Sequence, residues 1–541
     1  MADVIVVGSG ASGVHFALSL LEKGHGVTML DVGLSGPPVV NPDDSFADLK
    51  RNLDDPVEYF LGRRFESVVP PDSDEEIYGF SPNKLYVFDK PDGFNTRAEG
   101  FEPLFSFAQG GLAEAWTAGC YPFNEKDLNG FPISLAELLP HYSKVSDRVG
   151  IIGTDDDLSP FFPRHEHLLP PLELDENSEF LVRKYGEKKE YLNKRMGMFL
   201  GRSRIATLSQ DRQGRQACDY SGRCMWGCPS DSLYVPSITL AACQAYERFT
   251  YIPHVLVSHF VCDVRNHITS VVGVDTRSGK RKQWPVEKLA LAAGTLCSAK
   301  ILLDSVYQQR REILTLSGLM DNRQILVPFV NLKMVGKRYD PQTYQYHQLA
   351  VGFHDEDGDD YVHGQITTAK AALMQPVIQQ IPLDLKTASF ITRNFHAALG
   401  VININFSDSR RPTNTVTIEP DSGNGGDLPG TTLKITYSPP PEEEKKIAGA
   451  MKRVKKFLGR LGVIVPPGMA HIRPMGASVH YSGLLPMSAE KQPLTVSSTC
   501  RSHDYDNLYL VDGISFPSLP AKNLTFTLMA NASRVADLEF D

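Results

Sequence analysis

Apolar and polar positions sort the chain into elements almost from its first residue. Val4-Ile5-Val6-Val7 is a short apolar, β-branched run, and it passes through Gly8-Ser9-Gly10-Ala11-Ser12-Gly13 into residues 14–23, whose apolar positions recur at helical spacing. A second short run, Gly26-Val27-Thr28-Met29-Leu30, stops at Asp31. The order is strand, glycine turn, helix, strand. Over 36–93 the pattern breaks up: proline-rich and acidic pieces, among them Pro70-Pro71-Asp72-Ser73-Asp74-Glu75-Glu76, surround short apolar runs. This stretch reads as an excursion from the fold, partly a mobile loop. Residues 130–200 read mainly helical, through Leu135-Ala136-Glu137-Leu138-Leu139 and again over 178–184. Strand patterns return at 251–252, 255–261, 268–275 and 288–294, as a sheet completing the first fold. At 325–332, 399–406 and 415–418 the alternation has period two, which predicts an antiparallel sheet with one face able to roof a pocket. A charged helix over 441–461 follows the Pro439-Pro440-Pro441 stop.

The glycine turn brings chemistry with it. Gly8 allows the tight turn, Gly10 lets the backbone approach a pyrophosphate, and Gly13 lets the helix lie close on the strand; the helix N-terminus offers free N–H groups to an anion. Taken alone, glycines at this spacing also occur in plain loops. The strand before them, the helix after them and Asp31 at the end of the next strand make this a dinucleotide site. An acid there favours a free ribose 2′-hydroxyl, which points away from NADP and leaves FAD and NAD both open. A second glycine pair, Gly110-Gly111, precedes the small-residue segment that includes Ala115, Trp116 and Gly119, and reads as backbone that must lie against something flat or charged.

Composition narrows the possibilities further. At 541 residues, 42% hydrophobic and 22% charged, the chain is long enough for two or more cores of ordinary globular make-up. A net charge of −9, with no basic block beyond Lys452-Arg453-Val454-Lys455-Lys456, argues against nucleic acid as a partner. The first strand starts too soon after Met1 for a signal peptide, and no run approaches the roughly eighteen apolar residues of a membrane span, so a cytoplasmic protein is expected. Eight cysteines are too dilute for a disulfide scaffold. Nothing in the pattern fixes an oligomeric state.

Several separated motifs, in order, resemble the glucose-methanol-choline (GMC) flavoprotein oxidoreductases, most closely the pyranose oxidase-like branch. They are Val7-Gly8-Ser9-Gly10-Ala11-Ser12-Gly13; Gly110-Gly111 with Trp116; Leu291-Ala292-Ala293-Gly294 with Ile301-Leu302-Leu303; and Asn507-Leu508-Tyr509-Leu510-Val511-Asp512-Gly513 through Asn523 to Arg534. The resemblance implies an α/β fold. A Rossmann-like FAD-binding domain would comprise 1–50, 90–150, 200–310 and 465–541, and a substrate domain on an antiparallel sheet flanked by helices would comprise 51–89, 151–199 and 311–464. It implies FAD lying extended along Gly8, Gly10, Ala11, Ser12, Gly13 and Asp31. Gly110, Gly111, Ala115 and Trp116 would run along the flavin, with Val257 near the adenine, Asp512 and Gly513 near the pyrophosphate or ribityl chain, and Ala293, Gly294, Leu524 and Thr525 completing the contacts. In pyranose oxidase-like members a histidine directly before the tryptophan bonds covalently to flavin; Ala115 stands there in this chain, so non-covalent FAD is expected.

The same resemblance implies a catalytic pair, His480 in Ser478-Val479-His480-Tyr481 and Asn523 in Ala521-Lys522-Asn523-Leu524; the family's usual proline after the asparagine is replaced by Leu524. Read without the family, His480 is one of fifteen histidines, though its ordinary pKa suits a base at neutral pH. Asn523 alone would cap the helix that starts beside it. Cys218, Cys224 and Cys228, closing on Pro229, resemble part of an iron–sulfur or zinc ligand set that lacks its fourth local cysteine; a buried thiol turn is the leading reading, and no metal is assigned. The expected activity is oxidation of a CH–OH group of an alcohol, sugar or glycoside by FAD, with oxygen or another acceptor taking the electrons. The alternatives are a flavin-dependent lyase of the same fold and a non-catalytic flavin or electron-transfer protein using the three cysteines.

Overall fold

The structure is a computed structural model that describes residues 3–68, 76, 78–355, 358, 360–368, 374, 378, 381–421 and 430–540. Its centre is a five-stranded parallel sheet in the order Leu508–Leu510, Lys288–Leu291, Val4–Val7, Val27–Leu30, Phe249–Ile252. Val4 to Val7 are buried throughout, as a central parallel strand requires when helices cover both faces. The helices Ala11–Glu22 and Thr525–Glu539 pack against each other, and Ser19 and Ser533 share a 2.9 Å hydrogen bond. This brings the end of the chain back to its first turn. The expected single sheet over 251–294 is in fact two: Phe249–Ile252 and Lys288–Leu291 join the parallel sheet, while Val255–Cys262, Ile268–Asp275 and Arg281–Pro285 form a separate antiparallel one. Strand patterning reports burial of a face and is silent on the partner.

The second layer is a six-stranded antiparallel sheet in the order His471–Ile472, Gln324–Val330, Leu399–Asn405, Tyr361–Thr368, Leu349–His354, Met198–Arg202. Ile325, Val327, Val362, Ile366, Ile402 and Ile404 bury one face in a core shared with the helices Glu176–Met196 and Glu443–Arg460. Because successive side chains alternate, Gln324, His363, Gln365, Asn403 and Asn405 fall on the other face. That face is polar yet largely buried, with Gln324 and Gln365 each 5% exposed.

Three expectations are corrected. Strand Thr415–Pro420 joins a four-stranded sheet with Thr315–Ser317, Thr431–Thr436 and Asn95–Glu99, and its Val416 and Ile418 enter the core of the parallel-sheet domain. The expected domain boundary at 199/200 falls inside the strand Met198–Arg202. The helix expected over 178–184 runs from Glu176 to Met196: Asp175 caps its first backbone N–H groups, and it ends only where Gly197 turns left-handed, at φ +60°. The excursion over 36–93 holds two short helices, Phe46–Asn52 and Pro56–Leu61, and the 3-10 turn Pro82–Phe88. Residues 69–75 of its acidic stretch, where a mobile loop is expected, lie outside the described residues. Phe46, Tyr59 and Phe60 pack on Trp226, and Arg223 donates to the carbonyls of Val40, Asn41 and Asp44. The cysteine-bearing turn thus anchors the excursion. No helix of the described residues is long and apolar enough to cross a membrane.

Candidate active site

The first turn opens into a long cleft. Gly8, Gly10, Ala11, Ser12, Asp31, Gly111, Val257, Ala293, Gly294, Asp512, Gly513, Leu524 and Thr525 all line it. Gly13 does not: a Cβ there would lie 2.1 Å from the Gly8 carbonyl oxygen, so its work is to let the helix sit on the strand. Gly10 has nothing within 4 Å of where its Cβ would be, leaving the backbone bare toward the cleft. Gly110 lies behind the lining, its N–H donating to Ser9 Oγ at 2.9 Å, and Gly111 packs with its own Cβ position 3.2 Å from Gly10 Cα. Ala115 and Trp116 are also outside the lining; Trp116 Nε1 donates to the Tyr234 carbonyl at 2.8 Å. A narrow, glycine-walled channel opening on the helix start at Ala11, with one carboxylate at its far end, fits the ADP half of a dinucleotide.

Three carboxylates line this cleft; Asp304 pairs with Lys300 at 2.9 Å, and the other two are restrained by uncharged donors. Asp31 accepts from Ser9 Oγ and from Tyr251 Oη at 3.0 Å; burial pushes its carboxyl up to about 6, against the pull of those bonds. Asp512 accepts from the N–H of Gly294 at 2.9 Å, Ser298 Oγ at 2.6 Å and the N–H of Ile514 at 3.0 Å, and burial likewise pushes it up to about 6. Asp512 therefore ties the loop after the strand Lys288–Leu291 to the loop after Leu508–Leu510, at the carboxyl ends of two parallel strands, where open α/β sheets bind their ligands.

His480 and Asn523 meet beyond the cleft, between the two layers. Asn523 Nδ2 is 3.3 Å from His480 Nε2. His480 Nδ1 is 2.9 Å from Asn322 Oδ1, and Asn523 Oδ1 accepts from Gln365 Nε2 at 2.5 Å. His480 is 9% exposed, and burial, with the Arg473 charge second, pushes its imidazolium down to about 4, so the ring is neutral at pH 7. The loop that presents it is strained: Val479, β-branched, sits at φ +63°, a left-handed conformation such residues rarely adopt and one that clusters at functional sites. Asp321 holds that loop, accepting from the N–H of Gly476 at 2.6 Å and from Ser478 Oγ, which in turn accepts from the N–H of His480 at 3.0 Å. Asn523 is not the helix cap the sequence led us to expect. The helix begins at Thr525 with Leu524 in the cap position and no side-chain cap, which frees the Asn523 amide for His480 and Gln365.

Sequence reasoning missed Asp321, Asn322, His363 and Gln365. Only the last two carried a signal, as polar positions in an alternating strand. Cys218, Cys224 and Cys228 remain thiols beside the parallel-sheet core; burial, then the neighbouring Cys228, pushes Cys218 up to about 11, and Cys224 is raised as well. Among the described residues no group of three or more His, Cys, Asp or Glu is placed to hold a metal ion.

Residues 412–532, which include His480 and Asn523, match the family model described as GMC oxidoreductase. The chain is similar along 99% of its length to the 2-methyl-1,2-propanediol dehydrogenase of Mycolicibacterium austroafricanum, 22% identical and covering 94% of that protein. It is similar over the same share to the paromamine 6'-oxidase of Streptomyces fradiae, 23% identical and covering 90% of it. Among solved structures, pyridoxine 4-oxidase from Mesorbium loti superposes with a TM-score of 0.59 over 99% of both chains at 13% identity, a likeness of fold.

Proposed function

We propose that this chain, a GMC oxidoreductase by its match over residues 412–532 and by its full-length similarity to two oxidoreductases, oxidises a CH–OH carbon of a small hydroxylated molecule, a sugar or glycoside in the first instance, to the carbonyl. The observation that carries this reading is a buried imidazole, His480, 3.3 Å from the Asn523 carboxamide, beyond a glycine-walled cleft that fits a dinucleotide. Similarity to a 2-methyl-1,2-propanediol dehydrogenase and to a paromamine 6'-oxidase supports the substrate class. Gly8, Gly10, Ser12, Gly111 and Asp31 would hold FAD, non-covalently because Ala115 has no nucleophile to offer. Bound FAD supplies the hydride acceptor. His480 takes the hydroxyl proton at Nε2, and Asn523 Nδ2 donates to the oxygen as negative charge grows on it. Residues of the polar sheet face, Gln365 and His363 foremost, close the site from the opposite layer.

Anaerobic mixing of the flavin-loaded protein with D-glucose, a methyl glucoside, glycerol and propane-1,2-diol tests this. Bleaching of the flavin bands by at least one supports it; turnover of a hydroxylated substrate without any bleaching would favour a lyase. A second reading, electron transfer through the turn that bears Cys218, Cys224 and Cys228, draws on the closeness of the thiols: burial first, and then the neighbouring Cys218 and Cys228, raises Cys224. Iron in elemental analysis, with absorbance beyond the flavin bands, would promote it.

A further inference from the structure

Two amides hold the proposed pair from the opposite layer; the first has one orientation available, and the second follows from it through His480 and Asn523. Asn322, 1% exposed, spends both hydrogens of Nδ2 on backbone carbonyls, Phe406 at 2.7 Å and Pro520 at 3.0 Å. Its Oδ1 is then the atom that meets His480 Nδ1, and an amide oxygen only accepts. Nδ1 must carry the ring hydrogen, which leaves the lone pair on Nε2. Turning the Asn322 amide over would set its oxygen against two carbonyl oxygens and leave both carbonyls without their donor, with at most one of the two N–H groups finding an acceptor in His480 Nδ1.

On the other side Gln365 Nε2 donates to Asn523 Oδ1 and lies 3.3 Å from His363 Nε2. With Oδ1 already accepting, Asn523 presents Nδ2, the donor end, to His480 Nε2 and to whatever oxygen binds beside it. His363 fits the same direction: its Nε2 accepts from Gln365, so Nδ1 donates to Tyr361 Oη at 2.9 Å. The run Asn322, His480, Asn523, Gln365, His363, Tyr361 therefore has a single consistent assignment of hydrogens.

We propose that Asn322 and Gln365 are positioning residues for the oxidation: Asn322 decides which nitrogen of His480 is the base, and Gln365 decides which end of Asn523 donates to the substrate oxygen. The inference rests on His480 being the base. Besides the amides, the charged and titratable groups facing His480 are Arg473, His363 and, through Ser478, Asp321.

Histidine ring ¹⁵N NMR on the selectively labelled holoenzyme, with His480→Gln to assign the resonance, reads the tautomer directly. The wild type should be protonated at Nδ1 and bare at Nε2, and Asn322→Leu should lose that preference. Flavin reduction under anaerobic stopped flow, with the fastest of the four reductants named above, should slow about 10- to 100-fold in Asn322→Leu, part of what a positioned base contributes, with flavin content kept. Asn322→Asp still accepts from Nδ1. Its second oxygen faces the Phe406 and Pro520 carbonyls, so its Tm should fall; the folded, flavin-loaded variant should still reduce flavin faster than Asn322→Leu near neutral pH and move the acid limb of the pH profile upward, because a carboxylate favours the imidazolium. Gln365→Leu and Gln365→Glu should be equally slow, since neither donates to Asn523. Nε2 protonated in the wild type, or Asn322→Leu and Gln365→Glu reducing flavin at the wild-type rate beside a slow His480→Ala, overturns the inference alone. A His480→Ala variant as fast as wild type removes the base reading and the inference together.

Discussion

Gly13 stands so close to Gly8 that a Cβ on it would lie 2.1 Å from the Gly8 carbonyl oxygen, whereas the glycine between them, Gly10, faces open space. The same motif thus carries two separable demands, one of packing and one of ligand approach. Gly13→Ala should destabilise the fold by about 3 kcal/mol or more, since strand and helix must part to admit a methyl group, and thermal unfolding of the apoprotein will show it. Gly10 is already extended at φ −63°, a conformation valine adopts. Gly10→Val should therefore leave the apoprotein's Tm unchanged and abolish flavin binding. Full flavin content in that variant would remove the dinucleotide reading.

The proposal of non-covalent flavin rests on Ala115, which offers no atom for attachment. With Ala115 before Trp116, acid precipitation of the holoprotein should release all the flavin into the supernatant. Yellow colour left in the pellet would place a covalent bond on another side chain.

If His480 and Asn523 act as proposed, their losses should differ in kind. His480→Ala removes the proton acceptor and should slow flavin reduction by about 10²- to 10⁴-fold, with the residual rate rising with pH as hydroxide replaces the base. Asn523→Ala removes a donor to developing charge, should slow the step less, and should keep the wild-type pH profile. Because burial and Arg473 hold His480 near 4, the wild-type reduction rate should be level from about pH 5 upward and fall as pH drops through about 4. An acid limb near 6.5 would mean that the imidazole is solvated in the working enzyme.

What the sequence reveals here is what is contiguous in it. Strand, glycine turn and helix follow one another within 22 residues of the start, so the cleft at Gly8 and Gly10 is legible from spacing alone. Asn322 and Gln365 each lie 158 residues from the side chain they hold. Their neighbourhood exists only after the two layers close. The alternation at 361–368 could have marked Gln365 as lying on a polar face and nothing more, just as alternation at 415–418 gives a strand but not its sheet. For Asn523 the local signal misleads, because a cap residue and a site residue look alike beside a helix start, and packing hands the cap position to Leu524.

Directly before Asn523, Lys522 is fully buried, and its ammonium donates to the Asp127 carboxylate and to the carbonyls of Pro122 at 3.1 Å and Phe161 at 2.5 Å. Three acceptors on three hydrogens satisfy the charge, so this lysine fixes the backbone from which the Asn523 amide projects. Lys522→Met keeps the volume but leaves Asp127 as a buried charge without its partner. It should destabilise the protein by about 3 to 5 kcal/mol, the usual effect of breaking one side of a buried pair. Lys522→Met with Asp127→Asn removes the stranded charge and should recover most of that loss in thermal or denaturant unfolding. If the lysine also sets the position of Asn523, flavin reduction in the double variant should stay slow after stability returns. Recovery of both together would show that Lys522 serves the fold alone.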